Sequence, residues 1–325
     1  MDDRTMRAVL FDRYGGPEVL YVGRVPRPEP APGEVLVRVR AFSVNGGELA
    51  ARAGHVRLLT GRKFPQRVGL DFTGEVAALG AGATGVTVGD RVWGVVGRTG
   101  FGSAADYVTV RAERLGRVPD GLDLVEAAAL PVATTAITAL RDKAALRPGE
   151  RLLVRGAAGG VGNAAVQLGK AYGAEVTALA RAANLDFVRT LGAHHAIDHH
   201  AIDHRSVSPE ELGPFDVVLD TAGTDLRAFR RLLTPGGRMV TIAFDQTRLA
   251  ASLGYLAASA VHGRGRVRFF SGNPKRALFD DLAREVAEGR LRPAVDTCFP
   301  LEETAAAHRA LEAGGVRGKY VVRVD

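Results

Sequence analysis

The fold of this chain is decided at residues 151–181, which read RLLVRGAAGGVGNAAVQLGKAYGAEVTALAR. An apolar strand leads into a glycine-rich turn, the turn opens a helix, and a second apolar strand follows. The turn, AAGGVG at residues 157–162, matches the dinucleotide-binding pattern G-x-G-x-x-G with Ala157 in the first position. The succession of strand, turn, helix and strand distinguishes this pattern from a glycine turn that binds nothing. We therefore predict that a dinucleotide binds at this turn.

Each residue of the turn has a predicted part in binding. Gly159 would let the backbone approach a pyrophosphate, and Gly162 would permit close packing of the helix on the strand. The start of the helix, at Gly160, Val161 and Gly162, offers free amide N–H groups and the positive end of the helix dipole. A Walker phosphate loop is excluded because Gly162 is followed by Asn163 and not by lysine.

The end of the second strand predicts which dinucleotide is used. A carboxylate at that point would bond both ribose hydroxyls and select NAD. Residues 177–184 read TALARAAN and contain no acid, whereas Arg181 stands there instead. A guanidinium can pair with a 2′-phosphate, so we predict NADP(H) as the cofactor. The alternative is that Arg181 points to solvent and selects nothing.

Two kinds of segment flank the turn. The first 120 or so residues contain short β-type runs separated by Gly, Pro and Asp, which indicates a compact β-barrel or sandwich. From about residue 124, apolar strands alternate with helices, which indicates a doubly wound parallel sheet and an α/β fold. The strands of this second part are expected at 151–156, 175–180, 195–198, 215–220, 238–243 and 267–270. The final strand, KYVVRV, is expected to return to the first domain.

Composition limits the class of protein. The 325 residues are 46% hydrophobic and 24% charged, as in an ordinary soluble enzyme of two domains. The net charge of +7 comes from arginines scattered along the chain, so we expect no nucleic acid partner. The longest apolar run, residues 249–261, is too short to span a bilayer, and no signal peptide is visible. The single cysteine, Cys298, forms no internal disulfide. We expect a cytoplasmic protein with no membrane partner.

A histidine-rich stretch, HHAIDHHAIDH at residues 194–204, raises the question of a metal site. It holds five of the eight histidines of the chain. Alternating positions of a strand send neighbouring side chains to opposite faces, which scatters such ligands. The tandem AIDH indicates a duplication that lengthens a surface loop. We therefore predict neither a metal site nor the active site here.

Motifs along almost the whole length resemble the medium-chain dehydrogenase/reductase superfamily. They are RAVLFDRYGGPEVL, VGLDFTGEVAALGAGATGVTVGDRVWG, AAALPVATTAITAL, GAAGGVG, VLDTAG, LTPGGRMV and GRLRPAVDTCFPLEETAAAHRALEAGGVRGKYVV. The chain most resembles the zinc-independent quinone oxidoreductase branch, the zeta-crystallin-like proteins. This resemblance implies a GroES-like β-barrel domain at 1–124 and 273–325 and a Rossmann NADP-binding domain at 125–272. It also implies an active site in the cleft between the domains, and a homodimer.

Departures from the zinc-dependent branch bear on the chemistry. Those relatives carry a cysteine ligand where this chain has Asn45, and a histidine ligand where it has Leu70 between Gly69 and Asp71. Neither Asn45 nor Leu70 can hold a zinc ion, so we predict no metal site. The acceptor must then take hydride directly, as quinones and α,β-unsaturated carbonyl compounds do.

The resemblance also assigns site residues by position. It implies that Asn45, and Thr134 in PVATTA, are catalytic and bond the developing enolate or hydroquinone oxygen; the alternatives are a turn-capping asparagine and an ordinary helical threonine. The cofactor contacts that it implies are Ala222, Gly223, Ala243, Phe244, Phe270 and Lys319, for which the alternative is loop packing.

The predicted function is thus an NADPH-dependent, zinc-free oxidoreductase acting on a small-molecule quinone or enone. The basic loop at residues 54–67 leaves open an enoyl-thioester reductase with a carrier-bound substrate, although such a loop is also typical of a solvated face. A non-catalytic NADPH-binding protein is the third possibility. For the expected homodimer, the suspected interface elements are VRFF and the segment 249–261.

Overall fold

The computed structural model of the protein describes residues 4–61, 63–97, 100–244, 254–255, 258–259 and 267–325. The chain forms two compact units. The first is Met1–Thr134 together with Asn273–Asp325, and the second is Thr135–Gly272. Within the described residues, no helix has the length and apolar character that crossing a bilayer requires.

The first unit is built on two β-sheets. Its strands are β1 Thr5–Phe11, β2 Tyr21–Pro26, β3 Glu34–Ser43, β4 Gln66–Arg67, β5 Asp71–Leu79, β6 Arg91–Val95, β7 Tyr107–Arg111, β8 Leu115–Arg117, and, from the end of the chain, Val295–Pro300 and Lys319–Arg323. A three-stranded sheet has the order β2-β1-β4. In the larger sheet the two late strands lead into β3, β5, β6 and β8, and β7 also pairs with β3. The last strand is antiparallel to β3, so the end of the chain returns to the first unit as predicted.

Alternation along β3 builds the core of this unit. Val35, Val37 and Val39 are two residues apart and face the same side of the sheet, where all three are buried. Phe11 from β1 and Phe72 from β5 belong to the same buried cluster, so the two sheets share one core. The helices of this unit are α1 Gly46–Arg52, α2 Arg57–Thr60, α3 Leu124–Ala127, Arg276–Ala287 and Thr304–Ala313.

The second unit is a parallel sheet flanked by helices. Its strands are β9 Arg151–Arg155, β10 Glu175–Ala180, β11 His195–Asp198, β12 Phe215–Asp220, β13 Leu233–Thr241 and β14 Val267–Phe269, in the order β11-β10-β9-β12-β13-β14. The helices between these strands are α5 Gly160–Ala171, α6 Leu185–Thr190, α7 Pro209–Leu212 and α8 Leu226–Arg231; α4, Ala133–Ile137, precedes them. All the pairings are parallel, which confirms the predicted Rossmann sheet.

The first unit extends to Thr134, beyond the predicted boundary at residue 124. The reason is that α3 and the residues after it pack on the β-sheet. Thr73 Oγ1 donates a hydrogen bond to Leu124 O at 2.6 Å, and Ala128 is buried in one cluster with Val321. The apolar run 249–261, suggested above as an interface element, lies outside the described residues except at 254–255 and 258–259.

Two glycines of the turn after β9 meet different needs. A Cβ atom added at Gly162 would lie 2.1 Å from Gly156 O and 2.8 Å from Ala157 Cα, and both are backbone atoms. At Gly159 the nearest atom to an added Cβ is Gly156 O at 3.5 Å, an ordinary contact. Packing of α5 on the turn therefore requires Gly162, whereas the space beside Gly159 is open.

We expect Gly162→Ala to lower the free energy of unfolding by about 1–3 kcal/mol, because its Cβ overpacks a rigid turn. Gly159→Ala is the matched control, since its φ of −76° suits any residue and its Cβ meets no close atom. Urea denaturation of the two variants measures the difference. Equal stabilities would contradict the packing role of Gly162.

Candidate active site

The predicted cofactor residues of the second unit lie along one edge of its sheet. Parallel strands all end on the same side, and ligands of such sheets bind beyond the carboxyl ends. The residues that follow the strands are Gly159–Gly162 after β9, Arg181 after β10, Ala222 and Gly223 after β12, Ala243 and Phe244 after β13, and Phe270 after β14. The remaining predicted cofactor residue, Lys319, belongs to the first unit.

The turn after β9 has the features that a pyrophosphate needs. Gly159 is extended and precedes α5, whose first amides at Gly160, Val161 and Gly162 have no acceptor within the helix. No side chain occupies the space beside Gly159, and the nearest atom there is Gly156 O. A phosphate can therefore lie against these amides at the positive end of the helix dipole. The residues present fit a dinucleotide.

The loop after β12 is held by a carboxylate that the sequence analysis missed. Asp220 is fully buried, and its Oδ2 accepts hydrogen bonds from Gly223 N and Thr241 Oγ1, both at 2.8 Å. Gly223 has a φ of +77°, and a Cβ atom added there would lie 2.5 Å from Phe244 N. The loops after β12 and β13 thus touch at a point where only glycine fits.

A buried ion pair ties the central strands of this sheet together. Arg155, the last residue of β9, has its Nη1 2.6 Å from Oδ1 of Asp220, the last residue of β12. The same nitrogen donates to Thr224 O at 2.6 Å, and the guanidinium lies 3.6 Å from the centre of the Phe229 ring. Because a buried charge needs a partner, each group holds the other in place. The pair therefore fixes the ends of the two strands from which the turn and the loop emerge.

Phenylalanine rings lie at or just after the ends of β13 and β14. The Phe244 and Phe269 rings meet edge to face, with their centres 5.5 Å apart. Lys143 Nζ lies 6.0 Å from the centre of the Phe270 ring. Phe244 and Phe270 are thus held by neighbours within this unit, and their contact with a cofactor stays a prediction.

Arg181 is exposed at the end of β10, in the position predicted for it. The neighbouring strand β11 pairs in parallel with β10, and Ala180 lies opposite Asp198. Residues 177–184 contain no acid, but the sheet brings the carboxylate of Asp198 close to Arg181 from the neighbouring strand. The local sequence therefore does not show every charged group near Arg181. Asp198 Oδ1 accepts the N–H of His200 at 3.1 Å and so caps the turn after β11.

In the first unit, Asn45 is the centre of a buried polar cluster. Its Oδ1 accepts a hydrogen bond from Lys319 Nζ at 2.7 Å. Its Nδ2 faces three acceptors: Ser43 O at 3.0 Å, Glu48 Oε1 at 3.0 Å and Asp71 Oδ2 at 3.1 Å. Both ends of the amide are thus used inside the protein. Although Asn45 precedes α1, its side chain makes no capping hydrogen bond, so the alternative of a capping asparagine is excluded.

Lys319 supplies the positive charge of this cluster. It is the first residue of the last strand and is only 4% exposed. Its Nζ donates to Val44 O as well as to Asn45 Oδ1, both at 2.7 Å. Burial lowers the pKa of Lys319, while the carboxylates of Asp71 and Glu48 act to raise it. The ammonium has three hydrogens, and the described part of the chain shows no third acceptor.

The two carboxylates differ in their hydrogen bonds. Asp71 accepts the Ser43 hydroxyl at 2.8 Å on Oδ1 and 2.7 Å on Oδ2, and also the Ser43 N–H at 2.9 Å. Glu48 accepts the N–H of Gly69 at 2.9 Å and the Asn45 amide. Burial, followed by the nearby charge of Asp71, raises the pKa of Glu48 to about 7. Glu48 is therefore protonated more readily than an exposed glutamate.

A buried histidine faces Glu48 from the helix Thr304–Ala313. His308 Nε2 lies 4.0 Å from Glu48 Oε2 and has no hydrogen-bond partner among the described residues. Its Nδ1 lies 3.3 Å from Arg52 Nη1, and Arg52 also pairs with Glu312. Since a guanidinium only donates, Nδ1 accepts and the ring hydrogen is on Nε2, toward Glu48. Burial, and then the charge of Arg52, lower the pKa of His308 to about 3.

Thr134, the second predicted catalytic residue, is buried at the end of the first unit. Its hydroxyl donates to Pro131 O at 2.6 Å, a bond within its own turn. That bond is the one expected of an ordinary helical threonine, and a catalytic part for Thr134 stays a prediction.

The histidine repeat is scattered only in part. His195, on β11, pairs with Glu175 of the neighbouring strand β10 at 2.9 Å. The rings of His199 and His200, however, have centres 3.9 Å apart, and those of His199 and His204 are 5.7 Å apart. Alternation along the strand does not apply to these three, because His199 and His200 lie in the 3₁₀ turn His199–Ala201 that follows the strand, and His204 lies in the turn beyond it. Within the described ranges, no group of three or more His, Cys, Asp or Glu side chains is arranged to hold a metal ion.

Comparison with known families gives two matches. Residues 31–120 match the alcohol dehydrogenase GroES-like domain, and residues 191–322 match the zinc-binding dehydrogenase domain. The first match falls in the β-rich unit, and the second begins in the Rossmann sheet and continues into the last strands. Together they correspond to the expected GroES-like and Rossmann domains.

Similar proteins include oxidoreductases of more than one kind. The chain is 32% identical to the human mitochondrial NAD(P)H oxidoreductase RTN4IP1, over 98% of this chain and 89% of that protein. The structure of the quinone oxidoreductase from Coxiella burnetii has a TM-score of 0.87 and 31% identity, over 99% of this chain and 100% of that one. The CurK enoyl reductase has a TM-score of 0.83 and 25% identity, over 99% and 100% of the two chains.

Glu48 and His308 oppose each other in the dependence of stability on pH. The pKa of Glu48 is raised from 4.5 to about 7 in the folded state, so its contribution to stability is lost as pH rises through that range. The pKa of His308 is lowered from 6.5 to about 3, so its contribution is lost as pH falls through that range. Between pH 4.5 and 6.5 the two effects cancel.

We therefore expect the two single variants to have opposite slopes at about pH 5.5. Glu48→Gln should become more stable with rising pH, and His308→Gln less stable, each by about 1.4 kcal/mol per pH unit. Urea denaturation of the wild type and both variants at three pH values measures these slopes. Parallel slopes in the two variants would refute the buried titrations.

Proposed function

Because the chain belongs to the medium-chain dehydrogenase/reductase superfamily, we propose that it is a zinc-independent reductase that uses NADPH to reduce quinones or α,β-unsaturated carbonyl compounds. The chain is an NAD(P)H oxidoreductase of the quinone-oxidoreductase-like branch.

The observation that carries the proposal is the use of Asn45. Both ends of its amide are bonded inside the cluster, to Lys319 on one side and to two carboxylates and a carbonyl on the other. An amide bound in this way offers no thiolate to a zinc ion, and the neighbouring Leu70 offers no imidazole. The positive charge at this place is an ammonium instead.

The acceptor must then stabilise the charge that hydride creates. Bound NADPH supplies the hydride, and quinones and conjugated carbonyl compounds delocalise the resulting negative charge onto oxygen. Lys319 is oriented by Val44 O and Asn45 Oδ1, and in this proposal its remaining hydrogen stabilises that oxygen. Asn45 is thus a positioning residue that acts through Lys319.

The second unit would hold the cofactor. The amides of Gly160, Val161 and Gly162 would bind the pyrophosphate, with Gly159 giving the backbone room to approach. Ala222, Gly223, Ala243, Phe244 and Phe270 would line the nicotinamide half of the site, and Asp220 fixes the first of these loops.

An enoyl-thioester reductase is the second candidate. The likeness to the CurK enoyl reductase supports it, and Arg57 and Arg67 in the 54–67 loop offer positive charge to a phosphorylated carrier. Arg62 of that loop lies outside the described residues. A homodimer in the cytoplasm is also proposed, and sedimentation at micromolar concentration tests the dimer.

Substrate class is tested by following absorbance at about 340 nm with a quinone, a simple enone and a crotonyl thioester as acceptors. We expect NADPH oxidation with the quinone or the enone and no loss of rate after treatment with a chelator. Turnover of the crotonyl thioester alone would favour the second candidate. NADPH binding without turnover of any acceptor would indicate a non-catalytic protein, and inactivation by the chelator would refute zinc independence.

Cofactor choice is tested at Arg181. We expect Arg181→Ala to raise the KM for NADPH about tenfold or more and to leave that for NADH nearly unchanged, since only NADPH carries a 2′-phosphate. Arg189→Ala is the matched control, because Arg189 is also exposed but pairs with Asp186 within α6. An equal effect of Arg181→Ala on both cofactors would refute this assignment.

A further inference from the structure

The duplicated AIDH segment adjoins Arg181, the residue proposed above to bind the 2′-phosphate of NADPH. Arg181 and His199 each follow directly the last paired residues of neighbouring parallel strands, Ala180 in β10 and Asp198 in β11. Adjacent strands are about 4.8 Å apart. The repeat therefore brings histidines beside the arginine that we expect to select NADPH.

The turn after β11 holds these histidines in a fixed group. Asp198 caps the turn through the N–H of His200, and the rings of His199 and His200 lie with centres 3.9 Å apart. His204 Nε2 lies 2.6 Å from His199 O, and its Nδ1 faces Arg155 Nη2 at 3.5 Å. A carbonyl only accepts and a guanidinium only donates, so His204 is the neutral tautomer with its hydrogen on Nε2. Among the described residues, the ring nitrogens of His199 and His200 have no such hydrogen-bond partner.

The charge of this group depends on these two imidazoles. The charged and titratable groups that face His199 are Arg181 on β10, Asp198 on β11, and His200 and His204 on the turn. When both imidazoles are neutral, Arg181 and Asp198 offset each other. Protonation adds positive charge that Asp198 no longer balances. Burial, and then the neighbouring imidazoles of His200 and His204 and the guanidinium of Arg181, lower the pKa of His199, whereas Asp198 acts to raise it. An anion placed among these groups would stabilise the protonated ring.

We propose that His199 and His200 complete, with Arg181, a proton-dependent binding site for the 2′-phosphate, so that the preference for NADPH over NADH increases as pH falls. This inference rests on the proposed function, namely that NADPH binds at this edge of the sheet. Because protonated imidazoles bind the phosphate better, NADPH binding takes up protons, and NADH binding does not.

The sign of the effect separates it from the chemistry of the cofactor. A phosphate monoester loses its second proton near pH 6, so the negative charge of the 2′-phosphate itself increases as pH rises. With permanent cations alone, the preference for NADPH would therefore increase or stay constant between about pH 6 and 8. A decrease over this range requires groups on the protein that lose positive charge.

The test measures the dissociation constants of NADPH and NADH at several values between about pH 6 and 8 and constant ionic strength. In the wild type we expect the dissociation constant of NADH divided by that of NADPH to fall about tenfold as pH rises from about 6 to 8. The variant His199→Gln/His200→Gln should lose this fall. His195→Gln is the matched control and should keep the fall. His195 is an exposed histidine of β11, just before the turn, and it pairs with Glu175. The exposed His200→Gln alone serves if the double variant does not fold.

Calorimetry in buffers of different ionisation enthalpy gives a second readout. The wild type should take up more protons on binding NADPH than the double variant does. Equal pH profiles in wild type and double variant, with NADPH still preferred through Arg181, would overturn this inference alone. No detectable NADPH binding by the wild type would overturn the proposed cofactor, and this inference with it.

Discussion

The burial of two carboxylates beside Asn45 is the constraint on which the candidate site depends. Glu48 and Asp71 are both inaccessible to water, and buried charges persist only where they are paired or hydrogen-bonded. Lys319 provides the cation, and the Asn45 amide lies between the ammonium and the carboxylates. Because Lys319 comes from the last strand, this charge balance also joins the end of the chain to the segment that begins at β3. The fold of the first unit and its chemistry thus have one cause.

The second unit also contains a buried carboxylate, which is paired with an arginine instead of a lysine. Asp220 is buried with Arg155 as its cation, and its remaining lone pairs accept from Gly223 and Thr241. The carboxylate therefore fixes the loop after β12 at the edge where parallel strands present a ligand site. In both units, buried carboxylates accept hydrogen bonds from groups near the proposed ligand sites. Glu48 and Asp71 fix the Asn45 amide, and Asp220 fixes the backbone at Gly223.

The features that could be predicted from the sequence are those with a local sequence pattern. The glycine turn and the β–α alternation specify the Rossmann sheet, because a strand, a tight turn and a helix each have a local signature. Sequence reasoning missed Glu48, His308 and Asp220, since nothing in a sequence marks an acid or a histidine as buried. It also missed Asp198 as a neighbour of Arg181, because strand pairing brings together residues 17 apart in the chain. The first unit continues to Thr134, past residue 124, for a similar reason: α3 packs on strands that come much earlier and later.

The ammonium of Lys319 and a zinc ion differ in the chemistry that each can support. A zinc ion accepts electron pairs directly and can polarise a carbonyl or an alcohol, whereas an ammonium only donates hydrogen bonds and adds positive charge. Lys319 can therefore attract a developing oxyanion but cannot create an alkoxide from an alcohol. Burial weakens even this charge, because it lowers the pKa of Lys319, and the carboxylates of Asp71 and Glu48 hold the proton on it. The proposed acceptors, quinones and enones, carry a conjugated path that delocalises the charge onto oxygen, whereas simple ketones do not.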